Sequence, residues 1–244
     1  IQLQILFAKS EDEEIKAYEK LILEQKIENL VLQNIKTKDK RIDLLNKYKI
    51  NYVAWGKTKE GSDFSWVDLD NKKAIEKIVN YLIERKHKHI SYINISEKYN
   101  FASERKNSFL KILKKNKITF NKNYYASVKL EEPEKSFEII KNMLSRNKKI
   151  TSIICSTEYS ALSAIKACNY LNLNIGKDIS IITFDGPLVR DLSTPPITAV
   201  SFPVKELGKK AINILLNRDK KQNKTYNFLA EVNIIDRGSV HNCK

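Results

Sequence analysis

Single polar and aromatic side chains recur where short apolar runs of this chain end, and their types suit the grip of a small polar molecule. Asp185 follows Ile181-Ile182-Thr183-Phe184, and Thr157 and Glu158 follow Ile153-Ile154-Cys155-Ser156. Arg105 comes soon after the run 90–94, Trp55 closes the run 52–55, and Trp66 precedes Val67-Asp68-Leu69-Asp70-Asn71. A guanidinium or carboxylate forks onto hydroxyl groups, and an indole face lies against the apolar side of a ring. Each residue also has a duller use. Asp185 serves as a turn cap, Trp66 as core, and Arg105 as a surface partner of Glu104 or Glu138. One at a time the dull use wins; their repetition at equivalent positions favours a binding site.

Catalytic sets are harder to assemble. Ser156 lacks the flanking glycines of a nucleophile elbow, and six glycines in all leave no dinucleotide or P-loop cradle after any run. His87 and His89 close a Lys/Arg-rich stretch and His241 lies near the last residue, positions read as solvated or capping. Cys155, Cys168 and Cys243 are odd in number and lack metal-ligand spacing; the first two read as small buried hydrophobes. The expectation is therefore no catalytic residue, no metal site and no cofactor, hence not an enzyme.

The elements that must position these groups alternate. Strands are expected at 3–8, 30–33, 52–55, 90–94, 152–156, 179–184 and 197–201, and helices at 13–25, 40–47, 71–85, 103–115, 134–145, 159–171 and 204–216. In the third helix Ala74, Ile75, Ile78, Val79, Leu82 and Ile83 share one face. The run 180–184 is almost continuously apolar, as befits a strand covered on both sides. This alternation predicts an α/β fold with parallel, doubly wound sheets. Ser10 with Glu13, and Ser103 or its neighbours, fit helix starts. Gly176 suits a helix end or the loop beyond, Pro195-Pro196 breaks the chain before 197, and Pro203 ends the strand there. The stretch 225–236 returns to a β pattern.

Composition bounds the partners. The 244 residues carry a net charge of +15 from 44 basic and 29 acidic side chains, with 42% apolar content, enough for a sizeable core. Only seven of the basic residues are Arg and 37 are Lys. Arg is the residue preferred for phosphate and base-edge forks, so dispersed lysine reads as solvated surface, and the charge alone names no partner. No apolar run approaches the roughly 20 residues that span a bilayer. Ile1-Gln2-Leu3-Gln4-Ile5-Leu6-Phe7-Ala8 lacks a basic leader and cleavage site. With its unpaired thiols, the expectation is a cytoplasmic protein without membrane contact.

Several strings together resemble the LacI/GalR family of bacterial transcriptional regulators. They are Val67-Asp68-Leu69-Asp70-Asn71 with the helix through Tyr81-Leu82-Ile83-Glu84-Arg85-Lys86-His87-Lys88-His89-Ile90; Arg105-Lys106-Asn107-Ser108-Phe109, with Ser108 at the family's glycine; and Ile181-Ile182-Thr183-Phe184-Asp185. Pro195-Pro196-Ile197-Thr198-Ala199-Val200, Pro203-Val204-Lys205-Glu206-Leu207-Gly208 and Ile235-Asp236-Arg237-Gly238-Ser239 complete the set, in order along nearly the whole chain.

The resemblance implies a periplasmic-binding-protein type I-like core of two doubly wound subdomains with a ligand between them. Mapped here, one is 1–67 plus 203–219, incomplete at its start, and the other 68–202 plus 220–244. It implies that Arg105 and Asp185 bind effector hydroxyls, with Trp66 and Trp55 as aromatic contacts. The family commonly has Asn-Asp where this chain has Thr157-Glu158, so Thr157 is a candidate of altered chemistry. Glu131 falls where some members put an aromatic. The implied partners are a sugar or glycoside rather than a purine, operator DNA through a helix-turn-helix head outside these residues, and a second copy in a homodimer. The rival reading is a periplasmic sugar-binding protein of a transporter or chemoreceptor, which shares the fold.

Overall fold

The computed structural model describes residues 5–6, 8, 10–59, 63–130, 132–217 and 225–243. The chain divides into two compact units, Ile1–Asp68 with Val204–Phe228 and Leu69–Pro203 with Leu229–Lys244. It passes between them three times, after Asp68, Pro203 and Phe228.

In the first unit, α1 (Glu11–Leu23), β1 (Asn29–Leu32), α2 (Lys40–Lys47) and β2 (Asn51–Trp55) precede β3 (Trp66–Leu69). Strands β1, β2 and β3 pair in parallel. Ser10 caps α1 by accepting the Glu13 N–H at 3.2 Å, as its spacing suggests. Leu32, Leu45, Val53 and Ala54 are fully buried. A charged group is buried here too. Arg41 ties the Asp39 carboxylate at 2.6 Å to the Glu14 carboxylate at 2.7 Å and donates to the Gln33 and Asn34 carbonyls. Of the expected strand 3–8, Ile5, Leu6 and Ala8 belong to no strand, and the rest lies outside the described residues.

The second unit follows as α3 (Asn71–Glu84), β4 (Ile90–Ile95), α4 (Asn100–Lys115), a 3-10 turn (Lys122–Tyr124), β5 (Tyr125–Val128), α5 (Lys135–Arg146) and β6 (Ser152–Cys155). Then come α6 (Glu158–Tyr170), β7 (Ser180–Phe184), α7 (Pro187–Asp191) and β8 (Thr198–Val200). After α8 (Val204–Asn217) of the first unit, the chain forms β9 (Asn227–Ala230) beside β3 and then β10 (Ile234–Ile235). The large sheet has the order β10-β8-β7-β6-β4-β5, parallel except for β10.

Adjacent residues explain why its strands read as unbroken apolar runs. Ile154 and Ile182 face a core shared with Ala74, Ile78 and Phe109, whereas Ile153 and Ile181 face one shared with Ile140, Ala161 and Ala164. Helices α3 and α4 thus cover one side and α5 and α6 the other. Full burial of each such isoleucine is worth about 1.5–3 kcal/mol.

One expected start needs correction, and one open alternative resolves. Helix α4 begins at Asn100, not 103, and Ser103 is its interior, donating its N–H to the Tyr99 carbonyl. Burial of Tyr99 and Ala102 against Ile95 draws the extra turn into the helix without a side-chain cap. Gly176 does not close α6, which ends at Tyr170 with Asn172 in the left-handed region; it turns the following loop, with φ +81°.

Candidate functional site

In the large sheet, the chain turns outward in opposite directions between β4 and β6, because β5 lies beyond β4 while β7 and β8 lie beyond β6. Loops diverge at the carboxyl ends of two such strands, which leaves a crevice for a ligand. The residues at that point are Asn94 near the end of β4 and Ser156 just past β6.

Arg105 comes to the same place from α4. Its side chain is buried, with the residue 6% exposed. Nε donates to Asn71 Oδ1 at 2.8 Å and Nη1 to the Ser156 carbonyl at 3.2 Å. The guanidinium carbon lies 3.5 Å from the centre of the Phe184 ring and 4.9 Å from that of Phe101. A stacked guanidinium that donates to two separate fixed acceptors is held in plane and direction. Asn71 is itself held, its amide donating to the Leu69 carbonyl at 3.0 Å.

Beneath Arg105 runs a hydrogen-bonded network that residue-by-residue reading missed. The Tyr92 hydroxyl donates to Asn94 Oδ1 at 3.0 Å, and Ser156 Oγ donates to the same oxygen at 2.8 Å. The Asn94 amide donates to the Ala102 carbonyl and to the Tyr125 hydroxyl, which in turn donates to Glu97. Lys106 pairs with Glu97 at 3.3 Å and lies 4.8 Å from the Tyr125 ring centre. Burial pushes the Tyr92 phenol up to about 12, and burial together with the bond to Glu97 pushes that of Tyr125 far up. Both stay protonated donors. Asn94, a polar side chain inside the apolar run Ser91-Tyr92-Ile93-Asn94-Ile95, was the signal available.

The other candidates fare differently. Asp185 follows β7, and its carboxylate accepts Arg237 Nη2 at 2.7 Å; Arg237 also donates to the Ile197 carbonyl. The Thr157 hydroxyl is engaged as the cap of α6, accepting the Ser160 N–H at 3.2 Å within a capping box. Glu158 accepts the Leu188 and Val189 N–H groups at 2.7 and 3.3 Å, holding the start of α7. Gly186 allows this approach, since a Cβ there would come within 2.2–2.4 Å of the Glu158 carboxylate. In the first unit, half-buried Trp55 pairs with Val67, and Trp66 packs partly against the core with Lys57 Nζ 5.3 Å from its ring centre. Glu131 lies outside the described residues. Arg105, Thr157 and Asp185 are therefore gathered at one edge of one sheet.

The opposite edge corrects another expectation. His87 is neither solvated nor a cap but fully buried. Its Nε2 meets the His241 carbonyl at 3.0 Å and the Ser180 hydroxyl at 3.0 Å; its Nδ1 meets Thr151 Oγ1 at 2.9 Å and Cys243 Sγ at 3.1 Å. Burial pushes the His87 imidazole down to about 4 and that of His241 downward, so both are neutral near pH 7. Cys155 and Cys168 are buried as expected, and burial raises both thiols, to about 12 for Cys168.

Comparison with known proteins gives a consistent answer. Residues 79–240, more than half the chain, match the periplasmic binding protein-like domain. The chain is 30% identical over 207 residues to the HTH-type transcriptional repressor PurR of Proteus mirabilis, covering 83% of this chain and 60% of that protein. It is 26% identical over 236 residues to the repressor of the same name from Klebsiella pneumoniae, covering 95% and 68%. A solved regulatory protein of the LacI family from Chloroflexus aggregans is 28% identical, with a TM-score of 0.80 over 97% of this chain and 85% of that one. The fold also matches the transcriptional regulator CelR–cellobiose complex, at 18% identity and TM-score 0.86 over 95% of this chain and 71% of that one. No helix among the described residues is long and apolar enough to cross a membrane. By its strand order, its sequence and its relatives, the chain belongs to the periplasmic-binding-protein-like domain family, in the LacI-type branch.

Proposed function

We propose that this chain is the ligand-sensing core of a LacI-type transcriptional repressor, binding a sugar or glycoside through Arg105 and working in the cytoplasm as a homodimer. Ligand occupancy shifts the affinity of the whole repressor for operator DNA, and by linkage DNA shifts the affinity for ligand. DNA is read by a helix-turn-helix head of the kind named in the PurR relatives, of whose length this chain spans only part. The chain binds and does not turn over its ligand.

The observation that carries the reading is the Arg105 guanidinium, held in plane by Phe184, Asn71 and the Ser156 carbonyl at the divergence of β4 and β6. A fork fixed in this way suits vicinal hydroxyls. The cellobiose in the CelR complex supports a saccharide, and the PurR and LacI-family relatives support regulation over the transporter reading. Asp185 is proposed as the second hydroxyl contact, sharing its carboxylate with Arg237. Trp55 and Trp66 are proposed as aromatic contacts, and Thr157 and Glu131 as weaker polar ones. A thermal-shift screen of mono- and disaccharides tests this: one group of related saccharides should raise the melting temperature, and a flat response across the panel would remove the sugar assignment.

A further inference from the structure

We infer that His87, His241 and Cys243 form a zinc(II)-binding site at the amino edge of the large sheet. The three residues are far apart in sequence, 154 positions from His87 to His241 and 156 from His87 to Cys243. They are the group of three metal-type ligands that come together among the described residues, with donor atoms all within 4.8 Å of one another. Cys243 Sγ lies 3.1 Å from His87 Nδ1 and 3.7 Å from His241 Nε2. Tetrahedral bonds of about 2.3 Å to sulfur and about 2.0 Å to nitrogen would separate such atoms by about 3.3–3.6 Å. The two distances bracket that range.

The surroundings fix the ligands as a metal needs them. His87 Nε2 faces the His241 carbonyl, which only accepts, so the ring proton sits on Nε2 and Nδ1 presents a lone pair, facing Thr151 Oγ1 at 2.9 Å and Cys243 Sγ at 3.1 Å. Nδ1 of His241 meets the Ser180 hydroxyl at 2.9 Å, leaving Nε2 on the cysteine side. Ligating imidazoles are commonly oriented in this way through the nitrogen that does not bind. The backbone is pinned as well: the His241 N–H donates to Ser180 Oγ at 3.0 Å, and the Cys243 N–H donates to the Arg85 carbonyl at 2.9 Å. Two imidazoles and one thiolate suit zinc(II), with a water as fourth ligand. On binding, the Cys243 thiol gives its proton to solvent, and sulfur and the two nitrogens donate electron pairs to the ion. The ion would tie residues 241–243 to the turn before β4, away from Arg105 at the other strand ends.

The test is a titration of the metal-stripped 244-residue chain with cobalt(II), read as thiolate-to-cobalt absorption, followed by displacement with zinc(II) against a chromophoric chelator. The expected result is one ion per chain, with the absorption abolished in Cys243→Ser, which retains the two buried thiols. His241→Gln should lose the tight zinc binding, and Ser180→Ala should weaken it about tenfold through loosened imidazoles. If Cys243→Ser fails to fold, His241→Gln and the wild-type absorption decide. No thiolate-to-cobalt absorption in the wild type, or the same absorption in Cys243→Ser, would overturn the site and leave a hydrogen-bonded cluster.

Discussion

The two edges of the large sheet carry polar groups of opposite character. At the carboxyl edge, the ionisable side chains of Arg105, Glu97, Lys106, Asp185 and Arg237 lie near buried phenols and amides or pair with one another. At the amino edge, His87, His241, Ser180, Thr151 and Cys243 form a hydrogen-bonded cluster whose two imidazoles burial holds neutral. Parallel strands make this asymmetry available. The carboxyl ends of β4 to β7 each open into a loop and helix start on one edge, where backbone N–H groups and diverging loops welcome polar ligands. The amino edge receives helix ends and the returning C-terminal segment. The carboxyl edge is the one proposed to meet a ligand, and the amino edge fastens the chain to itself.

Substitutions and pH can break this contrast. The largest effect is expected at the amino edge without metal. Unfolded, the His87 imidazole takes a proton below its ordinary 6.5; folded, it resists until about 4. The unfolded chain thus binds more protons between these values, so stability rises with pH across the window. Its loss on acidification is up to roughly 3 kcal/mol. Urea unfolding of wild type and His87→Gln at roughly pH 7 and roughly pH 4.5 measures it, the variant showing the shallower dependence. Equal slopes would mean that burial does not hold His87 neutral.

At the carboxyl edge, Asp185→Ala leaves Arg237 without its carboxylate and should cost about 2 kcal/mol in chemical denaturation, since both side chains are mostly shielded. Thr157→Ala removes the α6 cap for about 1 kcal/mol. Gly186→Ala displaces only the flexible end of Glu158, releasing two N–H groups of α7, with a cost of about 1 kcal/mol that Glu158→Gln should partly share. A neutral Gly186→Ala would show that α7 does not depend on Glu158.

Much of this architecture was legible in the chain. Ile153-Ile154 and Ile181-Ile182 send neighbours to opposite faces, and unbroken apolar runs of that kind announce a sheet covered twice. Arg105 was legible as a candidate through its position after a strand and its resemblance to a family motif. Its setting was not, because Asn71, Ser156 and Phe184 come from three other segments and their convergence is a property of the strand order. Short elements also escaped: α7 has five residues and owes its start to Glu158, thirty positions away. The His87 cluster escaped for the same reason. A histidine after a basic helix looks solvated until the returning segment 239–243 covers it.

The proposed role of Arg105 rests on its forked, stacked guanidinium rather than on its charge. Isothermal titration calorimetry of wild type and Arg105→Lys, with the saccharide that gives the largest thermal shift, separates the two. Lysine keeps the charge and loses the fork, and should weaken binding by on the order of 100-fold while the protein still unfolds cooperatively. Affinity within about twofold of wild type would contradict the account and move the ligand away from Arg105.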